Sequence, residues 1–586
     1  MTLGVMTVGE ISCLFPLLDA ANLSILGWRL VPSAGKHPAD EPDEKATHMS
    51  REHEVIFYTD GRHSSVYIYE PPMDRRLYTA PIDELVDLGI DTITYAVGDC
   101  RVLLYDTRAG ERWGHNVNRT NHIIWYRAAL NLEQFIAAGN DPLQVVCERA
   151  HQLGFNFVPS LILGMQHQEP AAATDCRCSD FCFEHPEYQV GSEPDIPEAQ
   201  WDDPTRFSYA IPAVRQNRLA VIAELVSSYD TDGIELNLAD YAPFLARREI
   251  PEHTETFTRF IADVRDLCDR AATQQNREKR LLVRAGASLA GCRALGLDLE
   301  GMIRAELVDT VLAMPPHKSG MMEQHPSGIA ELVQAASGKN VKIICGISTN
   351  IRHDAFEKAP REMQVAQAAN GYRAGTQGVF FTTYYPSGYP YADSDLANLR
   401  YMGHPDLLAH KDKHFAVRQG PNGPEDTPGD YLSPNPLPVE LQVGEQGASQ
   451  TVYISDDVAL AKAAGELSRC ELRVRLASLI HNDTFDLWLN GEKIPRDGQE
   501  WHDWTYSVRP IPGNTRMINN YWITVDLLRL GPLPQQGDNH IRVDLTRHDP
   551  RCDPPVLLHD IELVVHYRDH RHAPRRDEWW SDPRQQ

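Results

Sequence analysis

Basic residues are in short supply: 56 Lys and Arg stand against 82 Asp and Glu, a formal net charge of −26 over 586 residues. A surface of that sign excludes nucleic acid and anionic membrane as expected partners, since both call for a basic footprint. No stretch approaches the roughly 18 consecutive apolar residues of a membrane-spanning helix. Residues 1–30 also lack a secretory signal's basic start and clean apolar core: Arg29 is the first cation, and Glu10 and Asp19 interrupt the run. A cytoplasmic location is expected on that ground, with Met49 as an alternative initiator. The eleven cysteines are an odd number without the spacing of a small disulfide framework, so reduced thiols are expected. No Gly-x-Gly-x-x-Gly follows the first strand-like run, which argues against a dinucleotide fold. Thr59-Asp60-Gly61-Arg62-His63 carries no His-x-His, which disfavours a metal-dependent hydrolase barrel. No cofactor is expected.

What the chain does contain is a rhythm. After a polar, Pro-containing extension (1–50), a run rich in Val, Ile, Phe and Tyr is followed by an amphipathic segment, and the pair recurs. The strand-like runs start at Glu54, Asp91, Phe155, Gly233, Arg280, Val308, Val341 and Gly378. Segments such as Pro81–Gly89, Ile211–Tyr229 and Phe257–Ala272 read as the helices between them. Eight near-continuous apolar strands alternating with helices predict a parallel (β/α)₈ TIM barrel over 51–430. An open doubly wound sheet is the runner-up. From Pro434 the helices disappear. Cys470–Leu476, Thr484–Leu489, Trp522–Leu527, His540–Leu545 and Asp560–His566 read as strands, and Asn490-Gly491 as a two-residue hairpin turn. An antiparallel β-sandwich over 434–567 is predicted, followed by a charged tail, 568–586.

The segment Tyr229–Asp240 stands out within this rhythm. Glu235 and Asn237 share one face of a short strand whose other face carries Ile234, Leu236 and Leu238. A carboxylate on a buried face must be paired, hydrogen-bonded or part of a site. Barrels of this kind place their sites at the C-terminal ends of the strands. Glu235, Asp240 and Asp60 are the expected catalytic residues there, and Asn237, Asp99, His167, Arg284, His317, Tyr384 and Tyr385 the expected substrate-binding ones. Paired carboxylates rimmed by aromatic residues suit glycosidic chemistry, so the expected partner is an oligo- or polysaccharide. A degenerate, non-catalytic sugar-binding barrel and a polysaccharide lyase are the alternatives. Cys176, Cys178, Cys182 and His185 could hold a structural zinc, but their spacing is not a standard pair of Cys-x2-Cys, and free thiols are the preferred reading.

The Asp232-Gly-Ile-Glu-Leu236 stretch, Glu184-His-Pro-Glu-Tyr188, the helix Val214–Leu225, Leu282-Val-Arg284 and Cys292-Arg-Ala-Leu-Gly-Leu-Asp298 together resemble the family 10-like glycosyl hydrolases over about residues 54–400. That resemblance implies a (β/α)₈ barrel, often with an appended β-sandwich. Family members usually continue Glu-Leu-Asp-Phe-x-Arg, whereas here the string is Glu235-Leu-Asn-Leu-Ala-Asp240. A chitinase-like Asp-x-Asp-x-Glu is absent too, and Ile347-Ser-Thr-Asn350 supplies no glutamate after strand seven.

Overall fold

The computed structural model describes residues 53–98, 102–117, 120, 122–164, 176–191, 206–239, 242–314, 324–348, 350–352, 357–382, 390–391, 396–417, 437–504 and 520–568. Eight parallel strands close into a barrel: β1 (Glu54–Asp60), β2 (Thr92–Ala96), β3 (Asn156–Ile162), β4 (Gly233–Asn237), β5 (Arg280–Gly286), β6 (Thr310–Met314), β7 (Lys342–Ile347) and β8 (Gly378–Thr382), with β8 pairing back onto β1. The expected TIM barrel is therefore the observed one. Among the described residues no helix is long and apolar enough to cross a membrane.

The strands are apolar on both faces because each face has its own core. Ile56, Tyr58, Ala96, Val158, Leu282, Leu312, Ile344 and Phe380 point inward and fill the barrel. Alternate residues, including Phe57, Ile93, Phe157, Leu236, Val283 and Ile343, point outward against the helices. The alternation at Glu235 and Asn237 thus places both on the inner wall, with Ile234 and Leu236 on the helix side.

A repeated device fixes the register of the strands in pairs. The residue preceding each even strand bonds twice to the second residue of the odd strand before it. Asp91 donates its N–H to the Val55 carbonyl (2.9 Å) and accepts the Val55 N–H on Oδ2 (2.8 Å). Asp232 does the same with Phe157 (2.8 and 2.7 Å) and Asp309 with Leu281 (2.9 and 2.6 Å). Gln377 repeats it with Ile343 (3.0 and 2.8 Å) through its side-chain amide oxygen. At the same end Glu54 accepts from Thr92 Oγ1 (2.7 Å) and Arg280 Nη1 (2.8 Å), with Lys342 Nζ at 3.4 Å, so an ionic cluster floors the barrel.

Two helical expectations need correction. The helix expected at Pro81–Gly89 lies earlier, at α1 (Arg75–Asp83), because the Asp74 side chain caps it by accepting from the Leu77 N–H at 2.9 Å. The stretch between β2 and β3 expected to be only a long loop before Asp141 contains α2 (Ile123–Ala137). Asp141 then caps α3 (Pro142–Gln152), as expected from Asp141-Pro142. α4 (Pro212–Ser227) lies at its expected position, and α5 (Ile250–Gln275) contains the expected Phe257–Ala272 but begins seven residues earlier.

Beyond the barrel, two antiparallel sheets face each other. One runs in the order Lys413–Val417, Leu557–Tyr567, Leu467–Ala477, Asn520–Asp526, Gln499–Trp504, with Val439–Glu440 beside Leu557–Tyr567. The other runs Ala448–Ile454, Gly537–Arg547, Thr484–Leu489, Glu492–Ile494. Leu472, Val474, Ile523, Leu487, Ile541 and Val543 form the core between them. Asn490 and Gly491, at φ 52° and 84°, make the expected two-residue hairpin, since a type I′ turn requires positive φ at both central residues. Lys413–Val417, inside the stretch assigned to the barrel on sequence, pairs into this C-terminal sheet. Barrel helix α6 (Arg361–Arg373) packs on it: Ala366 joins the sandwich core, and Gln324 donates to the Met363 and His414 carbonyls (both 3.1 Å) while accepting from the Ala416 N–H (2.6 Å).

Candidate functional site

The upper interior of the barrel is charged. Asp60 ends β1, and register partners lead from it step by step down the wall to Glu235: Asp60 opposite Ala96, Ala96 opposite Ser160, Ser160 opposite Glu235, the third of five residues in β4. Glu235 is fully buried, and its Oε1 accepts from Arg284 Nε at 2.6 Å. The Arg284 guanidinium lies over the ring of Tyr58 at 4.2 Å and near that of Phe380 at 4.8 Å, so aromatic faces share its charge with the carboxylate. Burial, reinforced by Asp60 and Glu235 and opposed by Arg284 and Arg62, holds the Tyr58 phenol well above its usual range. Those four charges therefore converge on one buried tyrosine.

Asp60 is the most firmly held of them. Arg62 binds it in a fork, Nε to Oδ1 at 2.9 Å and Nη2 to Oδ2 at 2.7 Å, while the Arg62 N–H donates to Oδ1 at 2.9 Å and His63 Nδ1 lies 3.1 Å from Oδ2. Burial alone would raise the Asp60 pKa, but the Arg62 charge and the His63 and Arg62 hydrogen bonds outweigh it and hold the carboxyl far below the usual carboxylate range. The local backbone makes this possible. Arg62–Val66 is a single π-helical turn whose side chains bond back to the strand end, Ser64 Oγ to the Asp60 carbonyl (2.6 Å) and Ser65 Oγ to the Gly61 carbonyl (2.7 Å). Gly61 is required there, because a Cβ would lie 2.4 Å from the Tyr95 hydroxyl.

Among the described residues, Glu235 Oε2, Ser160 Oγ and Thr94 Oγ1, on the neighbouring strands β4, β3 and β2, find no hydrogen-bond partner. Buried polar groups are nearly always satisfied, and Ser160 and Glu235 are direct register partners. Tyr58, Thr94 and Ser160 were missed in the sequence reading. The signal was present in the inward series 58–60, 94–96 and 158–160, but it becomes legible only when the strands are aligned in register.

Of the other expected site residues, Asn237 is buried beside Glu235 on the inner wall, and its Oδ1 accepts from the Ala239 N–H at 3.2 Å, shaping the turn that leaves β4. Asp240, Asp99, His167, His317, Tyr384 and Tyr385 lie outside the described residues. Cys176, Cys178 and Cys182 are buried, whereas His185 turns to Glu187 (Nδ1 to Oε1 2.8 Å) and stacks on Tyr188; the four do not gather into one ligand set. Among the described residues three potential metal-ligating side chains converge at Glu111, His115 and Asp180. Their oxygens are occupied in locking a loop: Glu111 accepts from the Asp180 N–H (2.9 Å) and Asp180 from Asn116 Nδ2 (2.6 Å).

No protein-family model matches the chain, and no curated protein matches it. Solved structures do match. An alpha-L-fucosidase isoenzyme 2 from Paenibacillus thiaminolyticus is 12% identical over 61% of this chain, at a TM-score of 0.38, and the chain spans about half (49%) of that enzyme. The PgaB (BpsB) glycoside hydrolase domain from Bordetella bronchiseptica is 14% identical over 61% of this chain and 98% of its own, at a TM-score of 0.38. The maltogenic alpha-amylase AmyB from Thermotoga neapolitana is 12% identical over 85% of this chain and 100% of its own, at a TM-score of 0.34. The resemblance to family 10-like glycosyl hydrolases therefore rests on the residues quoted for it.

Proposed function

We propose that this chain is a carbohydrate-active enzyme that hydrolyses a glycosidic bond of an oligo- or polysaccharide at the C-terminal mouth of the barrel. The observation that carries the reading is the carboxylate of Glu235, one oxygen fixed by Arg284 and the other buried without a partner among the described residues, with its register partner Ser160 unpartnered among them too. A sugar hydroxyl or a reacting water supplies the missing donor. Asp60 is the second carboxylate of the pair, kept ionised by Arg62, with Asp240, which follows β4 in the sequence, as the alternative partner. Arg284 and Asn237 position the acceptor side. The test is turnover of a panel of oligo- and polysaccharides by Glu235→Gln and Asp240→Asn, each checked by thermal melting to be folded at the assay temperature. Loss in Glu235→Gln is expected; wild-type turnover in both variants would sink the assignment.

A second reading, binding without catalysis, has its own observation: Glu235 is the third of five residues in β4 and fully buried, a layer below the strand end. It predicts a thermal shift with an oligosaccharide that stays intact.

A further inference from the structure

We propose that Glu111, His115 and Asp180 hold a divalent transition-metal cation that ties together the connections leaving β2 and β3. Glu111 and His115 lie in the connection after β2, and Asp180 in the connection after β3. One ligand atom from each lies within 4.8 Å of the others. His115 Nε2 stands 3.1 Å from Asp180 Oδ2 and 3.6 Å from Glu111 Oε1. Nitrogen and oxygen donors bound at about 2.0–2.2 Å stand about 2.8–3.6 Å apart as the angle at the ion runs from a right angle to the tetrahedral one. Both separations are therefore edges that one coordination polyhedron can have.

The tautomer of His115 is what calls for a cation. Its Nδ1 lies 2.8 Å from the Arg112 carbonyl, an oxygen that only accepts, so Nδ1 carries the N–H. In the neutral ring Nε2 is then a bare lone pair, and the two carboxylate oxygens it faces are acceptors as well. Three acceptors meet with no hydrogen among them. Either a second ring proton or a metal ion supplies the positive charge; a proton lies along one line, to one carboxylate, whereas an ion is met by all three donors. The bonds that lock the loop leave the inward lone pairs in place. Asp180 accepts from Asn116 Nδ2 on Oδ1 (2.6 Å), away from Oδ2, and Glu111 accepts the Ser179 hydroxyl on Oε2. Glu111 Oε1 accepts the Asp180 N–H at 2.9 Å, and its other lone pair meets only the long contact from the Phe181 N–H at 3.4 Å.

The atoms behind the three donors are arranged as those of metal ligands are. A ligating imidazole gives its other N–H to a carbonyl or carboxylate, and ligating carboxylates are hydrogen-bonded in turn. Arg112, Asn116 and Ser179 take those parts here. The side chains of His115, Glu111 and Asp180 are 23%, 24% and 48% exposed, so an ion reaches the site from solvent and water completes its shell. One imidazole nitrogen and two carboxylate oxygens, without a thiolate, suit zinc, manganese or cobalt.

Cobalt(II) is the probe, because its visible spectrum reports its ligands. The full-length chain, stripped with a chelator that is then removed, is expected to bind one cobalt ion per chain at micromolar concentration. Its spectrum should show the bands of nitrogen and oxygen ligands without the charge-transfer band of a thiolate, and the protein should melt at a higher temperature with the metal than without it. His115→Gln is expected to lose about 100-fold or more in cobalt affinity, and Asn116→Ala, which removes only the donor behind Asp180, about 10-fold. Loss of a plain surface ion pair moves no cobalt spectrum. Asp180→Ala, at a half-exposed position, takes the place of His115→Gln if that variant fails to fold. No bound cobalt, cobalt held as tightly by the His115→Gln or Asp180→Ala variant as by the wild type, or a thiolate band would overturn the site and leave the three residues a proton-bridged ion pair.

Discussion

At the scale of single residues, the site depends on how two carboxylates are held. Removing a buried ion pair's partner leaves a charge that water can no longer reach, while removing both members leaves an apolar gap that neighbours can fill. Glu235→Leu and Arg284→Met are each expected to lower the unfolding free energy by about 3–5 kcal/mol, because each leaves the other partner's charge buried and unpaired. The double variant Glu235→Leu/Arg284→Met should lose clearly less than the sum. Urea unfolding of the four proteins measures this; strict additivity would mean that the 2.6 Å contact does not couple the two residues. The rings of Tyr58 and Phe380 bear on the same experiment, since they continue to face position 284 when the carboxylate is gone.

At the scale of elements, β4 shows why the strand forms where it does. Gly233 opens it with φ +146°, and a Cβ there would lie 2.0 Å from the Arg280 carbonyl of β5. Gly233→Ala should therefore destabilise by well over about 1 kcal/mol, because both the dihedral and the interstrand approach resist a side chain; thermal unfolding reads it out, and a melting temperature equal to wild type would refute the strain. This strand was also the most legible element in the sequence, for a local reason: two polar residues alternate with Ile234, Leu236 and Leu238, and period two has one structural meaning. Asp60 was legible as a residue but not in its role. The π-helical turn that brings Arg62 and His63 onto its carboxylate is closed by bonds such as Tyr67 N–H to the Arg62 carbonyl (3.0 Å), and nothing in residue spacing signals a five-residue closure. Helix α2 was hidden differently. Its solvent side carries Ile123 (73% exposed), Ile124 and Tyr126, which blur the apolar stripe by which a surface helix is recognised. The Arg284 pairing joins residues 49 positions apart in sequence, so only the closed barrel reveals it.

At the scale of the whole molecule, the barrel and the C-terminal sheets share buried surface. Ala359 and Met363, at the start of α6, pack against Ala416 of the first sheet, and Asn370 Nδ2 reaches the Tyr453 carbonyl at 3.3 Å. Gln324 is enclosed between them, bonded to both sides. Shared burial of this kind couples unfolding. Calorimetry of the chain is expected to show one transition for barrel and sandwich together, and a chain ending after residue 410 should melt at a lower temperature than the whole or fail to stay in solution, since α6 would expose an apolar face. Two well-separated transitions, with the shortened chain melting as the first of them, would show the barrel to be independent. The doubled bonds at Asp91, Asp232, Asp309 and Gln377 carry a different message about the same barrel. Each fastens an odd strand to the even strand after it, and always at the floor, away from the mouth. The ring is thus assembled from four bricks of one pattern rather than from eight separate staves, a plan in which a shorter or longer relative would be reached by dropping or copying bricks whole, while the loops above them were left free to diverge.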